Sequence, residues 1–178
     1  MYITPIQAGQ RERVVTLTNG FIQQAGVALN CTFQPVPVTF DLTGRAAGMY
    51  RVRGKLRTIR YNPYLFARYF DENLAVTIPH EVAHYVVDMI YGANKTRPHG
   101  HEWKQVMAIF GADDSVRGCY DLEGVPMRRY QRFDYACACR QHALTKIRHK
   151  RVLRGARYHC RSCRQELVPV NGQEIQFN

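Results

Sequence analysis

The sequence contains no long apolar run, no internal repeat and no low-complexity segment. No stretch approaches the roughly 18 consecutive apolar residues that a membrane-spanning helix needs. The first ten residues also lack the basic start and apolar core of a secretory signal. These absences argue against membrane-spanning and secreted classes, and we expect a cytoplasmic protein. The hydrophobic content of 46% and the charged content of 22% are those of a folded chain, long enough for one compact domain and a small appendage.

One short run of residues has the spacing of a catalytic metal site. His80, Glu81 and His84 form the pattern H-E-x-x-H, within a segment that we predict to be helical. Residues four apart lie on the same face of a helix, so both imidazoles can bind one Zn²⁺ ion. Zinc lowers the pKa of a bound water to about 7, and Glu81 is placed to take up the proton. An ion-paired helix surface is the simpler alternative, but the pattern favours a catalytic zinc site.

A catalytic zinc ion needs a third protein ligand and keeps its fourth position for water. Three candidates follow the first two histidines: His99, fifteen residues after His84, and then His101 and Glu102. Spacing alone does not choose among them. The group that stabilises the oxyanion is equally open, with Tyr91, Arg97 and His101 as candidates.

Four of the six cysteines fall in one short stretch as two pairs, Cys137 with Cys139 and Cys160 with Cys163. Twenty residues separate the pairs, a grouping typical of a metal site and not of a disulfide framework. We predict that residues 143–149 and 152–158 pair as a β-hairpin between them, which would make the segment a zinc ribbon with a structural zinc ion. His142 is an alternative ligand in place of Cys137. A redox role is the remaining interpretation.

The net charge of +11 is concentrated in one part of the chain. Residues 1–127 have a net charge of +2, residues 128–164 a net charge of +11, and the residues that follow a net charge of −2. Such a concentrated positive field attracts a polyanion. We therefore expect a nucleic acid as a partner, and association with the nucleoid if that nucleic acid is DNA; a solvated cationic face is the simpler alternative. The predicted contacts are Lys146, Arg148, Lys150, Arg151, Arg154 and Arg157, the first three alternating along a predicted strand.

Apolar periodicity predicts both helices and strands before the cysteine-rich segment. Helical spacing indicates a helix over residues 6–28, and alternation at Val36, Val38 and Phe40 indicates a short strand. Two strands, residues 48–53 and 56–61, follow as a hairpin rich in arginine, whose basic face is either solvated or phosphate-binding. The further predictions are helices over 64–70, 72–91 and 100–110 and an irregular linker over 111–134, with Pro79 starting or bending the second of these helices.

The run from Pro79 to His84, followed by the run from Pro98 to Trp103, resembles the SprT-like family of zinc metalloproteases. The hairpin leading into Tyr61-Asn62-Pro63 and the terminal cysteines are also similar to bacterial members, so the resemblance covers nearly the whole chain. In that family the third zinc ligand is a histidine followed by glycine, two further residues and an aromatic residue, which implies His99 here. A eukaryotic relative, Spartan, cleaves proteins crosslinked to DNA, and the resemblance implies a related activity.

Together these patterns predict an α+β protein with a zincin-like metalloprotease domain over residues 1–127 and a basic zinc-ribbon domain over residues 128–178. We expect one catalytic and one structural zinc ion, and protein substrates that are bound or crosslinked to DNA. The main alternative is a non-catalytic nucleic-acid-binding protein with two structural zinc ions, which would need His101 or Glu102 to close the first site. A metal-dependent hydrolase with another kind of substrate is the third interpretation.

Overall fold

The computed structural model describes residues 3–114, 120–127 and 130–170, and the chain forms two compact units, residues 1–127 and residues 128–178. Each unit contains helix and strand, so the chain is of the α+β class, as predicted. Within the described ranges, no helix is long and apolar enough to cross a membrane.

The first unit combines five helices and a three-stranded sheet among its described residues. Its elements in chain order are α1 (Ala8–Leu29), β1 (Val38–Thr39), β2 (Gly48–Arg53), β3 (Leu56–Tyr61), α2 (Pro63–Arg68), α3 (Phe70–Ala75), α4 (Thr77–Tyr91) and α5 (His101–Ile109). The strand order is β1-β3-β2, with β1 parallel and β2 antiparallel to β3. Strand β2 therefore forms an edge of the sheet.

Helix α4 lies at the centre of this unit. It packs against α1, α3, α5 and the sheet, and Ile78, Val82 and Val86 on it are fully buried. Pro79 is its third residue, in the first turn, where backbone N–H groups have no intrahelical acceptor, so the N–H that proline lacks costs the helix no hydrogen bond. The helix that the sequence predicts over 72–91 is thus two helices, α3 and α4. The predicted strand around Val38 is confirmed, although it is reduced to two residues.

The second unit has a small sheet and one helix in its described part. Its elements are β4 (Arg132–Ala136), β5 (Gln141–Thr145), α6 (Lys146–Val152) and β6 (Val168–Pro169), with strand order β5-β4-β6. The core consists of five buried side chains, Tyr135, Leu144, Val152, Cys160 and Leu167. The predicted linker over 111–134 ends early, because β4 begins at Arg132; residues 115–119 and 128–129 of it lie outside the described residues.

The hairpin predicted between the cysteine pairs is wrong. The strands that pair are β4 and β5, Arg132 opposite Thr145 and Ala136 opposite Gln141, and residues 146–152 are helical. Thr145 caps this helix by accepting a hydrogen bond from the backbone N–H of Arg148. The expectation of a zinc ribbon between the cysteine pairs placed a strand here, whereas the lysines and arginines of residues 146–152 are good helix formers.

Candidate functional site

Three histidine side chains of the first unit converge on one point. The Nε2 atoms of His80 and His84 lie 3.2 Å apart, those of His84 and His99 3.1 Å apart, and those of His99 and His80 3.0 Å apart. His80 and His84 project from consecutive turns of α4, and His99 comes from the loop before α5. The structure therefore brings together the two histidines of the H-E-x-x-H pattern and the third histidine that the family resemblance implies.

The geometry and chemistry of this triangle fit a zinc ion. Tetrahedral zinc with Zn–N bonds of about 2.0–2.1 Å separates its nitrogen ligands by about 3.3–3.4 Å, close to the distances here. Burial, together with the neighbouring histidines, lowers the pKa of His80 to about 4 and that of His84 to about 3. Both rings are therefore neutral at pH 7, the form that binds a metal. A bound cation can be shared by three nitrogens that lie this close together. Hydrogen bonds alone do not account for the arrangement, because the three Nε2 atoms cannot each donate to both of the others.

Among the described residues, the first site offers three ligand atoms and not four. His101 and Glu102, the other candidates for the third ligand, are not part of the cluster. A closed, four-ligand structural site of the kind required by a non-catalytic protein is thus not formed by these side chains, and a fourth position remains for water or substrate.

The position of His99 depends on the glycine that follows it. His99 has a φ of +56°, in the left-handed region that few side chains adopt. A Cβ on Gly100 would lie 2.8 Å from the carbonyl oxygen of Arg97, too close for any other residue. The tight turn, closed by the hydrogen bond from Gly100 N–H to Arg97, both starts α5 and directs the imidazole toward α4.

Trp103 on α5 packs against all three histidines. Its ring centroid lies 4.8 Å from those of His80 and His99 and 5.7 Å from that of His84, and its indole N–H donates to the carbonyl of His80 over 3.2 Å. The side chain is also almost fully buried in the core. Trp103 therefore fixes the orientation of the triad from the side of the core, a role that its apolar spacing along α5 did not indicate.

Glu81 is buried beside the triad and held by the edge strand β2. The backbone N–H of Tyr50 donates a hydrogen bond of 2.6 Å to Oε2 of Glu81. A Cβ on Gly48 would lie 2.6 Å from Cγ and 2.7 Å from Oε1 of Glu81, so only glycine allows this approach. Burial raises the pKa of Glu81 to about 7, although the Tyr50 N–H opposes the shift. The carboxyl group can therefore both accept and release a proton near neutral pH.

A second contact ties β2 to α4 about two turns further along the helix. The buried Asp88 accepts hydrogen bonds from the hydroxyl of Tyr50 over 2.5 Å and from the guanidinium of Arg57 over 2.7 Å. Its other carboxylate oxygen, Oδ1, is buried without a hydrogen-bond partner among the described residues. Tyr50 thus binds Glu81 through its backbone and Asp88 through its side chain, which locks the strand against the helix.

The triad and Glu81 open into a cleft of about 470 Å³. Strand β2 lines one wall through Met49, Tyr50 and Val52, and the loop before α5 lines the other. Of the three candidates for oxyanion stabilisation, Arg97 lines the cleft, whereas Tyr91 and His101 are not among its described lining residues. An open cleft beside three histidines and a titratable carboxyl group can accommodate an extended chain and hydrolytic chemistry.

The four clustered cysteines of the second unit also converge. Their Sγ atoms lie within 4.8 Å of one another, with 3.4 Å between Cys137 and Cys139 and 3.7 Å between Cys139 and Cys160. Tetrahedral zinc with Zn–S bonds of about 2.3 Å would separate its sulfurs by about 3.8 Å. Backbone N–H groups of Cys163 and Ser162 lower the pKa of Cys160 to about 5, which favours the thiolate that a metal needs. The donor set therefore fits zinc.

His142, the alternative ligand, lies at the edge of this cluster. Its Nε2 atom is 3.3 Å from the sulfur of Cys137. Burial raises the pKa of that thiol, but the contact with His142 and the hydrogen bonds with Cys139 and Arg140 together outweigh burial and lower the pKa to about 7. The four cysteine sulfurs lie close enough together to hold a metal ion without it. This arrangement favours His142 as a partner of Cys137 and not as its replacement.

The six basic residues predicted to contact nucleic acid are all exposed, but they do not lie along a strand. Lys146, Arg148, Lys150 and Arg151 are distributed around α6, and Arg154 and Arg157 follow it. Arg148 lies over the ring of Tyr158, 5.8 Å from its centroid. The positive surface is therefore carried by a short helix and the loop after it.

Comparison with known proteins agrees with the resemblance drawn from the motifs. Residues 18–130 match the profile of the SprT-like family. The chain is 38% identical over 147 residues to Protein SprT of Vibrio parahaemolyticus, an alignment that covers 81% of this chain and 83% of the relative. It is 35% identical over 155 residues to Protein SprT of Pseudomonas savastanoi (82% and 87%) and 33% identical over 149 residues to that of Shigella dysenteriae (83% and 86%). No solved structure matches the chain significantly.

Proposed function

The chain belongs to the SprT-like family, and from this premise we propose that it is a zinc-dependent endopeptidase whose catalytic metal is held by His80, His84 and His99. The observation that carries the proposal is the convergence of three imidazoles beside the buried Glu81 in one open cleft. On this interpretation the first unit has a zincin-like fold.

The residues around the metal divide the chemistry among them. A bound zinc ion would act as a Lewis acid toward the substrate carbonyl and acidify a water molecule. Glu81 accepts a proton on its carboxylate and later delivers it to the departing amine. Gly48 and the N–H of Tyr50 hold that carboxylate in place, and Trp103 holds the imidazole rings.

We propose a structural role for the second cluster. Zinc bound by Cys137, Cys139, Cys160 and Cys163 would make the second unit a zinc ribbon. Its five-residue core is too small to fold by burial alone, so metal binding would supply much of its stability.

The proposed substrates are proteins bound or crosslinked to DNA. The net charge of +11 over residues 128–164 and the exposed basic side chains on and after α6 support DNA binding by the second unit. The cleft of about 470 Å³ beside the three histidines has room for an extended segment of such a protein.

The test is incubation of the zinc-loaded protein with a DNA-binding protein, with and without DNA, followed by gel electrophoresis and mass spectrometry of the fragments. We expect cleavage that DNA accelerates, and none by Glu81→Gln, which keeps both the fold and the metal ligands. Hydrolysis by Glu81→Gln at the wild-type rate would refute the role of Glu81. Absence of any cleavage by the wild-type protein, across several DNA-binding substrates, would favour the non-catalytic alternative.

DNA binding by the second unit has its own test. The triple variant Lys150→Ala/Arg151→Ala/Arg154→Ala should bind DNA more weakly. Its affinity should also depend less steeply on salt. The slope of the logarithm of the binding constant against the logarithm of the salt concentration should be smaller by about 0.9 for each phosphate that the variant no longer neutralises. The matched control removes three cations from the first unit, Arg11→Ala/Arg13→Ala/Lys104→Ala. Equal effects in the two variants would show that only net charge matters.

A further inference from the structure

The outer face of the β2–β3 hairpin is a strongly basic surface that the proposed chemistry does not use. Side chains alternate along β2, so Tyr50 and Val52 point to one face and Arg51 and Arg53 to the other. The strand register places Thr58 opposite Arg51 and Leu56 opposite Arg53. These side chains, together with those of β1 and the residues after it, form the outer face of the sheet.

A groove of about 200 Å³ runs across this face. Its lining residues are Thr39, Asp41, Arg51, Arg53, Leu56, Thr58 and Arg60. Arg60 is neutralised, since its guanidinium makes a two-pronged ion pair with Asp41 at 3.0 Å and 2.9 Å. Across the described ranges, by contrast, the side chains of Arg51 and Arg53 have neither an acidic partner nor a hydrogen bond, although both are exposed. The groove therefore presents two uncompensated guanidinium groups beside a threonine hydroxyl.

We propose that this groove binds the phosphate backbone of a nucleic acid, as a contact separate from the basic surface of the second unit. Guanidinium groups match a phosphate with two parallel hydrogen bonds, and a hydroxyl such as that of Thr58 is a common additional phosphate ligand. Asp41 pairs with Arg60 and not with Arg51 or Arg53, so it does not cancel the charge of those two side chains. A nucleic acid is favoured over an acidic protein because the same chain carries a second concentration of basic charge over residues 128–164, which points to a polyanion as the partner of both units.

The location of the groove gives this contact a consequence for substrate delivery, which rests on the proposed function. Strand β2 separates the groove from the cleft: Tyr50 and Val52 line the cleft with the histidines, while Arg51 and Arg53 line the groove. A nucleic acid held in the groove lies one strand away from the catalytic residues. A protein attached to that nucleic acid would then be presented at the cleft entrance.

The binding test uses the full chain with Arg51→Ala/Arg53→Ala and a fluorescently labelled DNA of about 20 base pairs, measured by anisotropy over a salt series. Removal of two phosphate contacts should make the log–log salt slope less steep by about 2 for duplex DNA. The control, Arg11→Ala/Arg13→Ala, removes the same charge from α1 and should keep the wild-type slope. A wild-type slope and affinity in the groove variant, or the same change in the control, would overturn the proposal.

Two further measurements distinguish this proposal from binding of an acidic protein and from failure of the proposed function. Poly-glutamate of matched charge should not displace DNA from the groove. If it instead displaces DNA from the wild-type protein at equal concentration, and this displacement is lost in the groove variant, the partner of the groove is an acidic protein. In the cleavage assay, the groove variant should keep DNA-independent hydrolysis and lose most of the DNA stimulation. If the wild-type protein cleaves nothing, the proposed function fails. The salt dependence of DNA binding would still show whether the groove contacts nucleic acid.

Discussion

Tyr50 donates its backbone N–H to the carboxylate of Glu81 over 2.6 Å, from a strand that precedes the helix of Glu81 by more than twenty residues. The same tyrosine donates its hydroxyl to Asp88. The edge strand β2 thus holds the proposed general base at one point and the helix itself at another. Glu81 is positioned by the sheet and not only by α4.

Replacement of Gly48 should therefore damage catalysis without removing any catalytic group. In Gly48→Ala the new Cβ would meet Cγ of Glu81 at 2.6 Å, so strand or carboxylate must shift. A displacement of about 1 Å can cost about 100-fold in kcat, whereas zinc content should not change. Gly20→Ala on α1, where no atom lies within 4 Å of the added Cβ, is the matched control. Full activity in Gly48→Ala would mean that the contact with Gly48 does not position Glu81.

Metal analysis should find two zinc ions per chain, each assigned to a different cluster. His99→Ala should lose one ion and Cys160→Ser the other, because each removes a member of one group of ligands. His101→Ala and Glu81→Gln should keep both. Inductively coupled plasma mass spectrometry of proteins purified without chelators measures the ratio. Loss of zinc in His101→Ala with retention in His99→Ala would reassign the third ligand.

The buried Glu81 should destabilise the metal-free first unit by an amount that grows as the pH rises. Its pKa is about 7 in the folded protein and 4.5 in the unfolded chain, so the folded state binds the proton more tightly. The contribution of Glu81 to the free energy of unfolding therefore falls as the pH rises from about 4.5 to 7, by about 3 kcal/mol. His80 and His84 contribute with the opposite sign in both proteins, so the comparison with Glu81→Gln isolates the carboxyl group. Glu81→Gln has no such titration, so it should gain stability relative to wild type over this pH range. Urea unfolding in EDTA, followed by fluorescence of the single tryptophan, Trp103, measures the difference. A gap that is constant with pH would contradict the assigned shift.

In the second unit, the cysteines and His142 should differ in their effect on metal affinity. Cys137→Ala removes a ligand of the cluster and should release zinc and unfold the unit, since its apolar core is small. His142→Ala removes only a hydrogen bond to Cys137 and should weaken zinc binding modestly, by about 10- to 100-fold. Zinc titration with a competing chelator distinguishes the two. The opposite ranking would make His142 a direct zinc ligand.

The sequence predicts the helix-borne part of the site well, because H-E-x-x-H is a local pattern whose spacing alone places two imidazoles on one helix face. His99 could be selected only through the family resemblance, since the turn at Gly100 that directs it depends on a close approach to Arg97. Gly48 and Asp88 could not be predicted, because their roles arise from contacts between β2 and α4. Helix α6 was missed for a different reason: residues 146–152 satisfy both helical and alternating patterns, and the cap at Thr145 decides between them.

Two of the three converging histidines belong to a helix and the third to a loop, fifteen residues further along the chain. A metal bound by all three would act as a crosslink that closes this loop, in the same thermodynamic sense as a disulfide. The exposed Lys95 lies inside the closed loop and is followed by Thr96, so trypsin can cleave after it once the loop opens. Zinc should therefore protect the chain from trypsin at Lys95, and chelation should expose this position while Trp103 and the rest of the core stay folded. A metal ion bound at this site would then also hold in place the loop that forms one wall of the cleft.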